Sequence, residues 1–235
     1  MPVKLAFEAL GTFFLCLAVL LTEGAGAPLL VAALLCALVY MGGPVSGAHY
    51  NPAVSLAIRL RGRMPKGGLM PYVGTQLAAA ASAGLLAGLL SEYDPERAAS
   101  LAAAMPASVF EGFFSLAVAE VLGTGLLAFV ILMVATSRLT AGNGYYGLAI
   151  ALTVLGLAGM FSADAPFLNP AVTLAAQLKG PGAAFGSEAS VLADLAREWT
   201  FLAKAFPRTA VQLLCQLLGA TLAARLFLGL FPEER

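Results

Sequence analysis

The sequence predicts an all-α membrane protein in which six transmembrane helices and two re-entrant half-helices form an inverted repeat. Three observations carry that expectation. The 235-residue chain is 60% hydrophobic and 11% charged, with a mean hydropathy of +0.88, whereas a soluble domain carries roughly 25% charged residues. Six long apolar segments are interrupted by two short ones. The short ones open on the same tripeptide, Asn51-Pro52-Ala53 and Asn169-Pro170-Ala171, inside the matching stretches NPAVSLA and NPAVTLA.

Span 1, at 3–22, carries Lys4 and an internal Glu8 and lacks a convincing cleavage site, so it reads as a span and not as a removed signal peptide. Span 2, at 28–41, looks short, but the loop behind it, 42–50, continues into the membrane toward Asn51. There the chain starts a half-helix at 51–60. Asn is a preferred N-cap, and Pro is favoured at the first helical position, where its missing N–H would have no partner. Neither short run can cross a hydrocarbon core of about 30 Å, which takes roughly 20 residues. Irregular backbone at that depth survives only against protein or a wet cavity, so loops 42–50 and 161–168 are expected to line one. Span 3 is expected at 70–90, span 4 at 110–135, span 5 at 145–161, the second half-helix at 169–178 and span 6 at 207–231.

The single domain, 1–235, divides into internal repeats of about 1–95 and 108–235. Phe7-Glu8-Ala9-Leu10-Gly11-Thr12 answers Ala119-Glu120-Val121-Leu122-Gly123-Thr124, and Gln76 answers Gln216. Glu120 follows Glu8 by 112 residues and Asn169 follows Asn51 by 118. Three spans per half is an odd number, so the second copy must be upside down and the half-helices must approach the midplane from opposite faces.

Basic residues set the expected orientation. Placing both termini in the cytoplasm puts Lys4, Arg59, Arg61, Arg63, Lys66, Arg138, Arg225 and Arg235 inside and Glu23, Glu92, Asp94 and Glu96, with Arg97, in the short outer loops; the long outer segment is the exception, with Lys179, Arg197, Lys204 and Arg208 balanced by Glu188, Asp194 and Glu198. An inner (plasma) membrane location follows as the expectation. The outer insertion, 181–206, places Val191, Leu192, Leu195, Trp199, Leu202 and Phe206 on one helical face, as an amphipathic helix lying at the interface would. A loose insertion is the alternative.

Zero formal net charge argues against a nucleic-acid partner. Cys16, Cys36 and Cys215 lie in separate apolar segments without metal spacing, so free thiols, no metal and no cofactor are expected. No nucleophile with a paired His and no phosphate-cradling loop supports an enzyme. Glu8 and Glu120 are the only carboxylates deep in the spans. Their matched positions point to acceptors for the backbone of their own half-membrane loops, with a proton relay as the alternative. His49, the sole histidine, has no second ligand nearby and reads as a packed, hydrogen-bonded residue, with pH gating as the alternative.

The stretch from Ser46 through His49, Tyr50 and Asn51 to Leu56, the paired Glu-x-x-Gly-Thr spans, Gln76 and Gly219-Ala220 resemble the major intrinsic protein family of aquaporins and glycerol facilitators. The resemblance spans nearly the whole chain except the outer insertion. It implies one pore per subunit, a homotetramer in the lipid bilayer, and passive conduction of water or small uncharged solutes such as polyols, urea-like molecules, ammonia or other gases. It also implies a ladder of backbone carbonyls from Gly47, Ala48 and His49 and from Ala165, Pro166 and Phe167. The opposed half-helices would each bring about half a positive charge to the midplane, beside the amides of Asn51 and Asn169.

Counted back from the two Asn residues by the family pattern, the constriction reads Val31, Leu157 or Ala158, Pro166 and Val172. Most of the family carries Arg where this chain has Val172, and glycerol facilitators usually carry Asp where it has Thr173. Charge exclusion should therefore lean harder on the half-helix dipoles. Two alternatives stay open on the sequence: a pore of the same fold that leaks ions or does not conduct, and a broken-helix secondary transporter. Against the latter, the midplane has no cluster of acidic or lysine side chains for ion coupling.

Overall fold

The computed structural model describes residues 1–91, 112–161, 166–179 and 191–234, with the side chains of 191–205 outside that description. The described residues form helices only: α1 (Pro2–Leu21), α2 (Ala27–Ser46), α3 (Pro52–Leu60), α4 (Leu69–Leu90), α5 (Phe113–Thr136), α6 (Tyr146–Met160), α7 (Pro170–Lys179) and α8 (Val191–Leu230), with short 3₁₀ turns at Arg138–Thr140 and Pro232–Glu234. Five of them have the length and apolarity to cross a membrane: α1, α2, α4, α5 and the Phe206–Leu230 part of α8. The 15 residues of α6, at 1.5 Å per residue, make a rod of about 22 Å. It is the short member of the six-span set.

Two boundaries differ from the sequence reading. Span 2 continues five residues past Met41 to Ser46. Gly42-Gly43-Pro44 reads as a stop, but Pro44 is tolerated inside the helix, which ends only at Gly47 with φ 94°. A side chain at Gly42 would overlap the Tyr50 hydroxyl, so the glycine is there for a close approach and not for a break. Span 6 is the later part of a 40-residue helix that begins at Val191 and runs on through Pro207. The backbone at 191–206 is thus helical and joined to the span, while 181–190 lies outside the described residues.

Packing swaps elements between the halves. In α4, Ala80, Ala83 and Ala87 form one buried layer with Ala171, Val172 and Ala175 of α7. A Cβ at Gly84 would press on the α7 backbone at Ala175. Small side chains let the two backbones close, which is how helices associate where lipid offers no hydrophobic drive. In the other half, α8 holds α3 through Ala220, Ala223, Ala224 and Phe227, packed with Ala53, Val54, Ala57 and Ile58. Each half-helix is therefore braced by the last span of the opposite repeat. Leu5, Phe227 and Phe231 share that cluster, so the start of α1 and the end of α8 lie at the same end of the bundle.

Candidate functional site

Each half-helix begins with its asparagine as a cap. Asn51 Oδ1 accepts from the N–H of Ala53 at 2.9 Å and of Val54 at 3.4 Å. Asn169 Oδ1 accepts from the N–H of Ala171 at 2.9 Å. The amide nitrogens cross to the other repeat: Asn51 Nδ2 donates to the Leu168 carbonyl at 2.8 Å, and Asn169 Nδ2 donates to the Tyr50 carbonyl at 3.0 Å. Each Nδ2 carries two hydrogens. Among the described residues only one per asparagine is taken, and both asparagines face the same central cavity.

The carbonyls that receive these bonds are aimed by strained backbone. Tyr50 and Leu168, each directly before its asparagine, adopt left-handed φ values of 49° and 57°. That conformation costs about 1–2 kcal/mol for a non-glycine residue. Buried anchors hold both in place. Tyr50 fills a slot over Gly11, where any Cβ would overlap its ring, and its hydroxyl donates to the Leu38 carbonyl at 2.9 Å. Leu168 fills the equivalent slot over Gly123. The Glu-x-x-Gly spacing thus supplies a carboxylate for the loop and, one turn on, a gap for the loop's last side chain.

The carboxylates are fully buried and saturated with donors. Glu8 Oε1 accepts from Ser46 Oγ at 2.7 Å and the His49 N–H at 3.0 Å; its Oε2 accepts from the Tyr50 N–H at 2.8 Å and Gln76 Nε2 at 2.9 Å. Glu120 accepts from the N–H groups of Phe167 and Leu168, both at 2.9 Å, and from Gln212 Nε2 at 3.2 Å. Gln76 Nε2 also donates to Ser55 Oγ at 2.9 Å, and Gln216 Nε2 donates to Thr173 Oγ1 at 2.9 Å. Ser55 and Thr173 each lie four residues after their asparagine. Thr173 is therefore a structural contact to α8, fully buried, and not a group in the cavity wall. His49 Nδ1 pairs with Ser55 Oγ at 3.1 Å, and its ring packs on Tyr72 with centroids 5.1 Å apart.

The central cavity has a volume of about 70 Å³. A water needs ~10–15 Å³ on that measure, so a short file of waters fits. Its lining is mainly aliphatic, with Leu15, Val31, Leu35, Ile131, Ile150, Val154 and Val172, and its polar members are His49 and the two asparagines. Val39, Ala48, Ile131 and Ile150 also wall a second, larger cavity of about 570 Å³ at the end that holds both chain termini. Gly47 faces this vestibule, Ala48 faces both cavities and His49 faces the central one. No donor among the described residues reaches the carbonyls of these three, nor those of Pro166 and Phe167.

The remaining expected residues divide. Val31 and Val172 are in the central wall. Leu157 is buried in a cluster with Leu15, Leu35 and Leu168, while Ala158 and Pro166 are half-buried, and none of the three lines either cavity. Val154, one turn before Leu157 and Ala158, lines the central cavity. The 162–165 segment, Ala165 included, is outside the described residues.

Two half-helices meeting cap to cap at the centre of an inverted six-span repeat define a transmembrane channel fold. The Major intrinsic protein family model matches residues 5–181, and the chain belongs to that family. Aquaporin Z of Brucella melitensis is 28% identical over 252 aligned residues that cover 98% of this chain and 99% of that protein. Human aquaporin-10 is 34% identical over 169 residues, 64% of this chain, and the chain spans 54% of that protein's length. The crystal structure of the aquaglyceroporin from Plasmodium falciparum shares the fold, with a TM-score of 0.67 at 20% identity over 95% of this chain and 94% of that one.

Proposed function

We propose that the protein is a passive channel conducting water and small uncharged solutes through the central cavity and the vestibule. The observation that carries this reading is the crossed pair at the cavity's centre. Asn51 and Asn169 each keep one N–H for the lumen, in a cavity whose lining is otherwise mainly aliphatic. A passing oxygen gains donors from the amides and acceptors from the loop carbonyls, and nothing from the aliphatic lining, so it binds weakly enough to leave. The two half-helix N-termini add about half a positive charge each at the same point. The aquaporin and aquaglyceroporin relatives agree with this solute class.

On this reading Val31 and Val172, with Pro166 and Leu157 or Ala158 further out, form an uncharged outer constriction, and the carbonyls of Gly47, Ala48, His49, Ala165 and Phe167 are the acceptor ladder. Glu8 and Glu120 hold the loops, and the relay reading is set aside. The termini and the vestibule lie on the cytoplasmic side of the cell membrane, and the channel works as a homotetramer. Reconstituted protein should speed osmotic shrinkage of vesicles well above empty liposomes, and a panel of glycerol, urea and ammonia gradients will rank the solutes. Shrinkage no faster than in empty vesicles would reject the reading. A large ion-selective current would replace it with the ion-pore alternative.

A further inference from the structure

Among the described residues that line the two cavities, the central one holds a single histidine, His49, whose ring is already paired with Ser55 and stacked on Tyr72. The described vestibule wall holds Arg63 and Arg138 and no carboxylate. The nearest acid, Glu234, is turned into protein. Its Oε1 accepts from Ser137 Oγ at 2.8 Å and the Arg138 N–H at 2.7 Å; its Oε2 takes Arg61 Nη2 at 2.6 Å. Arg61 also donates to the Glu234 carbonyl and lies over the Phe227 ring, 4.7 Å from its centroid. Arg61 and Glu234 are thus committed to each other. Arg63 reaches the same carboxylate only at 3.6 Å with 43% of its side chain exposed, and the Arg138 side chain has no hydrogen bond among the described residues. Glu233 is exposed on the same 3₁₀ turn and does not line the cavity. The three arginines against one buried carboxylate leave about two positive charges beside the path.

We propose that Arg63 and Arg138 form an electrostatic collar that sets the channel's selectivity against cations, a proposal that rests on the conduction reading above. The solute path is serial, so a barrier at one end limits flux in both directions. A cation crossing the vestibule passes both guanidinium groups with no carboxylate in the wall to offset them. An anion is drawn into the vestibule but must shed its water to enter the narrow, mainly aliphatic central cavity, where two amide N–H groups and the half-helix dipoles replace only part of its hydration. Neutral solutes feel neither effect. The collar is water-filled, so its reach is a Debye length, about 8 Å at physiological salt and about 3 Å at 1 M.

The test measures potassium leak and osmotic water permeability on the same proteoliposomes, for the unmodified protein, Arg63→Gln, Arg138→Gln and the double variant. Both side chains are exposed at the vestibule, so the variants keep the buried Arg61–Glu234 pair. The leak-to-water ratio of the double variant should rise roughly tenfold at low ionic strength, with each single variant in between, and the gap should close when an impermeant salt is added to about 1 M. A double-variant ratio within twofold of the unmodified protein overturns the collar, as does a rise that salt does not abolish, which would mark a loosened bundle. Absence of water flux in the unmodified protein would instead overturn the conduction reading, and the collar with it.

Discussion

Asn51 donates its side-chain amide to the carbonyl of Leu168 at 2.8 Å, across 117 residues of chain. The reciprocal bond from Asn169 to Tyr50, at 3.0 Å, makes the junction a closed ring of two caps and two carbonyls. Cap and cross-link use different atoms of the same side chain: Oδ1 starts its own half-helix and Nδ2 fixes the position of the other. Each repeat therefore sets the depth at which the opposite half-helix ends, with no contact required from lipid.

Separating these two jobs gives the first prediction. Asn51→Ala should lose both, costing about 0.5–2 kcal/mol for the cap and about 1 kcal/mol more for the buried cross-bond. Asn51→Asp keeps the cap acceptor and loses the donor. Thermal unfolding in detergent should rank the unmodified protein above Asp and Asp above Ala, with the same order at Asn169. Equal melting of the Ala and Asp variants would mean that Oδ1 contributes no cap.

Replacing Glu8 with Gln puts an NH2 where one carboxylate oxygen accepts two of the four hydrogen bonds, so donors face donors there. A buried charged acceptor contributes about 1.5–3 kcal/mol per bond, so Glu8→Gln should destabilise the protein by several kcal/mol, and Glu120→Gln by somewhat less with its three bonds. Water flux per folded molecule should fall only as far as the loops move. A variant that melts like the unmodified protein but has lost proton flux would favour the relay reading instead.

The fold was legible because its signals are local and repeated. Duplicated Asn-Pro-Ala marks two helix starts on chemistry alone, and three spans per half force the inversion. The matched Glu8 and Glu120 pointed to the loops they accept from. Other features depend on tertiary contacts that no local pattern encodes. Gly42-Gly43-Pro44 resembles a helix stop until the Tyr50 hydroxyl is seen against Gly42. Val154 looks like any other apolar residue of α6, and only its place among the packed helices shows it in the cavity lining. The Glu234 socket joins residues from three separate stretches, and its one sequence hint was a cluster of basic residues near 59–66.

Val172 lines the cavity while packing, 2% exposed, beside Cys16 and the alanine layer of α4. An arginine there cannot enter that layer and must extend along the lumen toward Val31. Val172→Arg should cut polyol flux several-fold more than water flux, because a polyol needs more of the cross-section. An unchanged polyol-to-water ratio would remove residue 172 from the constriction.

Glu234 supplies a pH dependence whose sign can be fixed. Burial works against its charge, but the hydrogen bonds from Ser137 and the Arg138 N–H, together with the guanidinium groups of Arg61 and Arg138, outweigh that and hold its carboxyl below the usual range. A depressed folded value means that the socket's contribution is complete above the unfolded carboxylate pKa of about 4.3 and is lost as pH falls through the folded value. Protonation also leaves Arg61 buried without its counter-charge, at the joint between α3, the end of α5 and the chain after α8. The melting temperature of the unmodified protein minus that of Glu234→Gln isolates this group from every other carboxylate. The difference should be flat from pH 7 to about 5 and shrink toward zero below about 4. A difference that grows on acidification would show that the carboxylate is not held charged by this socket.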